Sequence, residues 1–164
     1  MIYILDAYNV IHKIPQLGRL LDRDLRTARD GLTQLCARLA AARCDISKII
    51  LVFDGNSKFN DLPEISFPKI ELIFSETGED ADERIISVLE KLAKEKNKCV
   101  VSDDNFVRNH ARAYESRAIS VSEFEKLISG RTQKTRNKKP SEDFSLPSKV
   151  TDEITEAYKK ELGL

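Results

Sequence analysis

Four short apolar runs rich in Ile and Val, at residues 2–5, 49–53, 70–74 and 99–101, constrain the fold of this chain more than any other feature. None alternates with polar residues, so each fits a strand buried on both faces. Between them lie stretches with helical periodicity. Leu25, Ala28, Leu32, Leu35, Cys36 and Leu39 share one stripe of a helix expected over residues 25–43. Ile85, Leu89, Leu92 and Ala93 do the same for residues 81–96. Shorter helices are expected at 105–113 and 122–128, with a brief strand at Ala118 and Ile119 between them. The order strand, helix, strand, strand, helix, strand, helix, strand, helix predicts an α/β sandwich with a mainly parallel sheet.

The length of 164 residues suits one domain with a proper core. No run of 18 apolar residues exists, which argues against a membrane span. The first residues lack the basic region and long apolar segment of a signal peptide and read as a core strand. Three cysteines are an odd number, and Cys36 and Cys44 on one helix would stand about 12 Å apart, beyond disulfide reach. A cytoplasmic protein with reduced thiols is therefore expected. Residues 56–68, with two prolines and no helical period, read as a surface loop. Composition shifts after Gly130, so a domain over 1–130 is followed by a basic, Pro- and Ser-containing linker at 131–149 and a terminal helix at 150–164.

Carboxylates close several of the strand runs. Asp6 follows the first, Asp54 the second and Asp103 the fourth, while Glu76, Glu79, Asp80, Asp82 and Glu83 precede the helix after the third. In an open parallel sheet the strand ends that lead into helices share one edge, and that edge holds the ligand crevice. Asp6, Asp54, Asp82 and Asp103 should converge there. Each acid also has a structural reading: Asp54-Gly55 is a turn pair, Asp103 or Asp104 can cap the next helix, and Asp80 with Glu83 has capping-box spacing. Capping leaves Asp82 without a role and does not call for an acid after the first strand. Gathered in one low-dielectric crevice, like charges need a cation. Oxygen donors without a His or Cys partner select Mg²⁺ or Mn²⁺. His110 reads as a helix-surface residue, with His12 a lesser candidate for touching substrate. An ion of this kind activates water for attack on a phosphodiester.

The same residues resemble a known family. Asp6-Ala7-Tyr8-Asn9-Val10-Ile11 is similar to the D-G-Y-N-[VM]-I opening of the YacP-like NYN nucleases, a branch of the PIN-like ribonucleases. The segments Val52-Phe53-Asp54-Gly55, Gly78 through Ile85 and Val100-Val101-Ser102-Asp103 are similar to three further motifs of that family, in the right order. Ala7 stands where the family usually has Gly, and Asp104 adds a carboxylate beside Asp103. The resemblance implies a PIN-like three-layer sandwich and Mg²⁺- or Mn²⁺-dependent internal cleavage of RNA, with Asp6, Asp82 and Asp103 around the metal. It further implies that Asp54 is a supporting acid and Asn9 a polar contact to water or phosphate. Ser102 would orient the neighbouring carboxylates, and Glu83 aligns with a family acid.

The 27 basic and 27 acidic side chains cancel, which excludes indiscriminate coating of polyanions. RNA must instead be guided by local basic groups. Arg19, Arg23 and Arg26 fall on one face if the helix is continuous there, with Arg29 extending the row. Arg108 and Arg112 lie near the expected crevice. Arg131, Lys134, Arg136, Lys138 and Lys139 form a basic segment with no acid among them, suited to following a phosphate backbone or to serving as a solubilising linker. Tyr8 reads as a packing residue, and with no Trp, recognition through phosphate, RNA shape or a larger ribonucleoprotein assembly is expected rather than a row of stacked bases. A non-catalytic RNA-binding or adaptor module is the competing reading. A haloacid-dehalogenase-type phosphatase fits less well, because Tyr8 stands where it wants a second Asp, and a Rossmann binder lacks its glycine-rich loop.

Overall fold

Five parallel strands make one sheet in the order β3-β2-β1-β4-β5. They are β1 (Ile2–Asp6), β2 (Lys48–Phe53), β3 (Ile70–Phe74), β4 (Lys98–Val101) and β5 (Arg117–Ile119). The computed structural model describes residues 1–55 and 66–130, all within one unit, Met1–Thr132. The basic segment, the terminal helix and most of the loop expected after β2 lie outside the described residues. The apolar runs are strands because both faces of each are covered. Tyr3, Leu5, Ile49, Leu51, Phe53, Cys99 and Val101 face one core, while Ile4, Ile50, Val52 and Val100 face a second. Period-two alternation places successive side chains of one strand in different cores.

The first core is closed by α1 (Ala7–Lys13), α2 (Pro15–Leu21), α3 (Leu25–Ala42) and α6 (Val121–Ile128). The second is closed by α4 (Ala81–Lys91) and α5 (Asn105–Ala113). The result is the expected three-layer α/β sandwich. Its sheet is wholly parallel where the sequence suggested a mainly parallel one.

Helices α1 and α2 are additions to the expected order, and they correct the reading of the arginine row. α2 ends at Leu21 and α3 starts afresh at Leu25 behind its cap Asp24, whose carboxylate accepts from the Thr27 amide at 2.7 Å. Arg19, Arg23 and Arg26 are exposed but not on one continuous helix. Arg29 leaves the row altogether. It is half-buried, its guanidinium 5.5 Å from the ring centres of Phe53 and Phe74 and 5.7 Å from that of Tyr8. Its Nε donates to the Tyr8 hydroxyl at 3.1 Å. Tyr8 packs edge-on against Phe53, as its expected packing role requires, and this cluster ties the ends of β2 and β3 to α1 and α3.

Gly31 allows α2 to lie close on α3, since a Cβ there would stand 2.5 Å from Leu20 Cδ1 and 3.4 Å from Leu17 Cδ2. Gly31→Val should therefore destabilise the protein by about 1–3 kcal/mol, read as a lower urea midpoint, because the core must open to admit the side chain. An unchanged midpoint would show that α2 yields without cost.

Candidate active site

All five strands end at one sheet edge in a short polar side chain: Asp6 in β1, then Asp54, Ser75, Ser102 and Ser120 just past β2, β3, β4 and β5. The chain runs from β1 outward to β3 and then returns across β1 to β4, so the strand order reverses between β1 and β4. Crevices form at such switch points, and Asp6 and Ser102 flank this one. Ser102 Oγ donates to Asp6 Oδ2 at 3.5 Å and accepts from the Asp104 amide at 3.1 Å.

Asp6 corrects one expectation, because it is an N-cap: its Oδ1 accepts from the Asn9 amide at 3.3 Å and starts α1 directly from the strand. Capping does account for an acid after the first strand. It does not account for burial, and Asp6 is only 7% exposed. Desolvation pushes its carboxyl pKa up against the hydrogen bonds from Asn9 and Ser102, and the charges of Asp104 and Asp54 push the same way. Asp82, in the first turn of α4, is raised to about 6, first by desolvation and then by Asp104, Asp6, Asp80 and Asp54. Asp6, Asp54, Asp82 and Asp104 thus share one field although the sequence scatters them.

Asp103 and Asp104 make different contacts. Asp103 Oδ1 accepts from the Val121 amide at 3.0 Å, and its Oδ2 lies 3.4 Å from Lys13 Nζ, so this carboxylate ties β4 to the starts of α6 and the end of α1. Asp104 caps α5 through its Oδ1, which accepts from the Phe106 and Val107 amides at 2.7 and 3.3 Å. Its charge, like that of Asp54, raises both Asp6 and Asp82. Asp54 accepts from Ser75 Oγ at 3.3 Å, and Ser75 Oγ in turn accepts from the Gly55 amide at 3.2 Å. Ser75 is buried and was missed in the sequence, where a serine at the end of a strand run carries no special signal. Glu83 donates its amide to the Asp80 cap at 2.8 Å, and its side chain is exposed.

Asn9 contributes a buried Oδ1 with no hydrogen-bond partner, a costly arrangement unless something donates or coordinates there. The donor set of hard oxygens under mutual repulsion fits Mg²⁺ or Mn²⁺. Among the described residues no three His, Cys, Asp or Glu side chains are gathered tightly enough to ligate one ion directly. Mg²⁺ keeps several waters and takes one or two carboxylates, so acids spread around a crevice fit it better than they would fit zinc.

Among the basic candidates, Arg108 is half-buried, with its Nε buried and unpartnered, and its charge reaches Glu123 on α6. Arg112 is exposed and donates to Asn109 at 3.3 Å. Lys13 is the basic residue that touches an acid of this edge, and sequence reading passed over it. His110 lies on α5, its Nδ1 2.9 Å from the Phe106 carbonyl oxygen, and His12 is exposed. Arg131, Lys134, Arg136, Lys138 and Lys139 lie outside the described residues. No helix among the described residues is long and apolar enough to cross a membrane.

The chain and its fold have counterparts. The family model of the YacP-like NYN domain matches residues 3–163. A protein of Bacillus subtilis (strain 168) described as uncharacterized protein YacP is 26% identical over 157 residues, 91% of each chain. The crystal structure of a single-substitution mutant of Rae1 (YacP) from Bacillus subtilis is 25% identical, with a TM-score of 0.63 over 79% of this chain and 75% of that one. A second crystal structure of Rae1 (YacP), 24% identical with a TM-score of 0.58 over 98% and 93% of the two chains, shares the fold. The family match over nearly the whole length places this chain in the YacP-like NYN domain family, a family of nuclease type.

Proposed function

We propose that this protein is a divalent-metal-dependent endoribonuclease whose centre is the carboxylate edge between β1 and β4. One observation carries the reading: Asp6, buried at the end of β1, and Asp82, at the start of α4, are raised first by desolvation and then by shared neighbours Asp104 and Asp54, and Asn9, whose amide meets Asp6, keeps a buried Oδ1 with no partner. A protein gains nothing for its own stability from burying acids among like charges, and perturbed acids of this kind mark functional sites. Asp6, Asp82 and Asp104 are the residues that would hold Mg²⁺ or Mn²⁺, with Asp54 lending further negative potential. Asp103 anchors the turn after β4 and keeps Lys13 at the edge.

When bound, the ion supplies Lewis-acid polarisation of the phosphate and a lowered pKa for water. The chain's own residues supply position and charge. Asn9 Oδ1 accepts a proton donor of the incoming strand or of an ordered water, Ser102 fixes the Asp6 carboxylate, and Lys13 offers a cation to a neighbouring phosphate. The substrate is RNA, which a larger ribonucleoprotein assembly can present, and the basic residues at 131–139 add attraction without fixed geometry. The three free thiols fit a reducing compartment such as the cytoplasm.

Water attack distinguishes this chemistry from attack by the RNA's own 2′-hydroxyl. Cleavage of an internally labelled RNA should leave a linear phosphate and a hydroxyl at each cut. Products ending in a 2′,3′-cyclic phosphate would overturn the proposal, and so would cutting that persists in EDTA.

A further inference from the structure

Beside the acidic edge stands an exposed aromatic pair that the metal chemistry does not use. Phe106, the second residue of α5, is 52% exposed, one of two large apolar side chains so exposed among the described residues. It is not loose. Its ring centre lies 4.2 Å from that of His110, tilted by 50°, and its amide is held by Asp104 at 2.7 Å. One face of the pair is supported from within the helix while the rest stays open to solvent.

Its place is set by the neighbouring helix. α4 and α5 both start from the same sheet edge and pack together, and the Tyr114 hydroxyl donates to Glu90 at 2.8 Å near their far ends. Eight residues back from Tyr114 is Phe106, and eight back from Glu90 is Asp82. At a rise of about 1.5 Å per residue in both helices, the two stand at the same level. Phe106 therefore lies at the level of Asp82, at the helix end nearest the sheet edge, with its amide on the Asp104 carboxylate.

From this we infer that Phe106, supported by His110, is the platform on which one unpaired base of the RNA strand stacks, next to the phosphate held at the acidic edge. The inference rests on the nuclease reading and adds to it one residue that holds a base of the strand. An aromatic face stacks on any base, so it positions a strand without reading its sequence. A base inside a duplex is already stacked on both faces and cannot use it. The phosphate-dominated recognition expected from the scarcity of aromatics thus gains one stacking contact, not a row of them.

The chain contains no Trp, so Phe106→Trp in the full-length protein provides a lone fluorescent reporter. With Ca²⁺ replacing Mg²⁺ to neutralise the acids, a short single-stranded RNA should quench its emission, and an abasic chain of equal length should not. In parallel, Phe106→Ala should weaken binding of the single strand by roughly 5- to 100-fold, with Phe106→Tyr close to wild type and abasic binding nearly unchanged. RNA binding that is equally tight with Ala at this position, and no quenching, would overturn the platform while leaving the nuclease reading intact. Equal quenching by duplex RNA would overturn the single-strand preference. Failure of the wild-type protein to bind or cut any RNA would remove the nuclease reading itself, and the platform with it.

Discussion

Asp82→Asn should lower RNA cleavage by roughly 100-fold or more and, in the same protein, raise the thermal stability of the metal-free form at pH 7. The two effects have one cause. Burial first, and then the charges of Asp104, Asp6, Asp80 and Asp54, oppose the ionised form of Asp82 and push its carboxyl up from the usual carboxylate range to about 6. The folded state therefore binds the Asp82 proton more tightly than the unfolded chain does. Its contribution to stability falls as pH rises from about 4 through 6, and at neutral pH the full penalty is present. Asn carries no charge and removes it. A shift of this size corresponds at most to about 3 kcal/mol, and solvent screening at a half-buried site reduces it to about 1 kcal/mol, or a few degrees in Tm. Parallel melting of wild type and variant at pH 4.5 and pH 7 checks the sign: the advantage of the variant should appear at pH 7 and shrink at pH 4.5. A variant that is inactive and also destabilised at pH 7 would mean that Asp82 serves the fold.

The second large effect separates adjacent acids. Asp104→Asn should cost roughly 100-fold in cleavage, and Asp103→Asn less than about 10-fold. Asn is as good an N-cap as Asp, so Asp104→Asn keeps the start of α5 and removes only one of the charges that Asp6 and Asp82 feel. Asp103→Asn can still accept from the Val121 amide and loses mainly an exposed ion pair with Lys13, worth at most about 1 kcal/mol. The measurement is single-turnover cleavage by each variant at saturating Mn²⁺. The reverse ranking would return the metal to Asp103.

Much of this was legible in the sequence, because doubly buried strands and long amphipathic helices leave strong periodic traces. β3 and α5 fall at the residues expected, and the other expected elements differ by a few residues at their ends. α4 stops at Lys91 rather than running to residue 96, since Ala93 and the residues after it are exposed and have no core to face. Leu25, counted in the stripe of α3, is 39% exposed at the helix start. α1 and α2 were missed because seven residues each are too few for a clear period, although Pro15 at the first position of α2 is a start signal. Missing them hid two facts about the site: Asp6 is a cap, and the arginine row is broken. The convergence of acids at one edge follows from parallel topology and could be read in advance. That Asp103 meets the Val121 amide and Lys13 depends on where α6 and α1 lie, and no local pattern in the sequence carries that. The exposure of Phe106 is equally non-local, since a Phe in the first turn of an amphipathic helix normally faces the core.

The most direct measurement is cleavage of an end-labelled single-stranded RNA by the wild-type protein with Mn²⁺, with EDTA, and with EDTA followed by excess Mn²⁺, alongside Asp82→Asn. Internal cuts should appear with Mn²⁺, vanish with EDTA, return on adding Mn²⁺ back, and be nearly absent throughout for Asp82→Asn. Equal cutting by wild type and variant, or cutting undiminished by EDTA, would contradict the assignment of the β1/β4 edge as a metal-dependent nuclease centre.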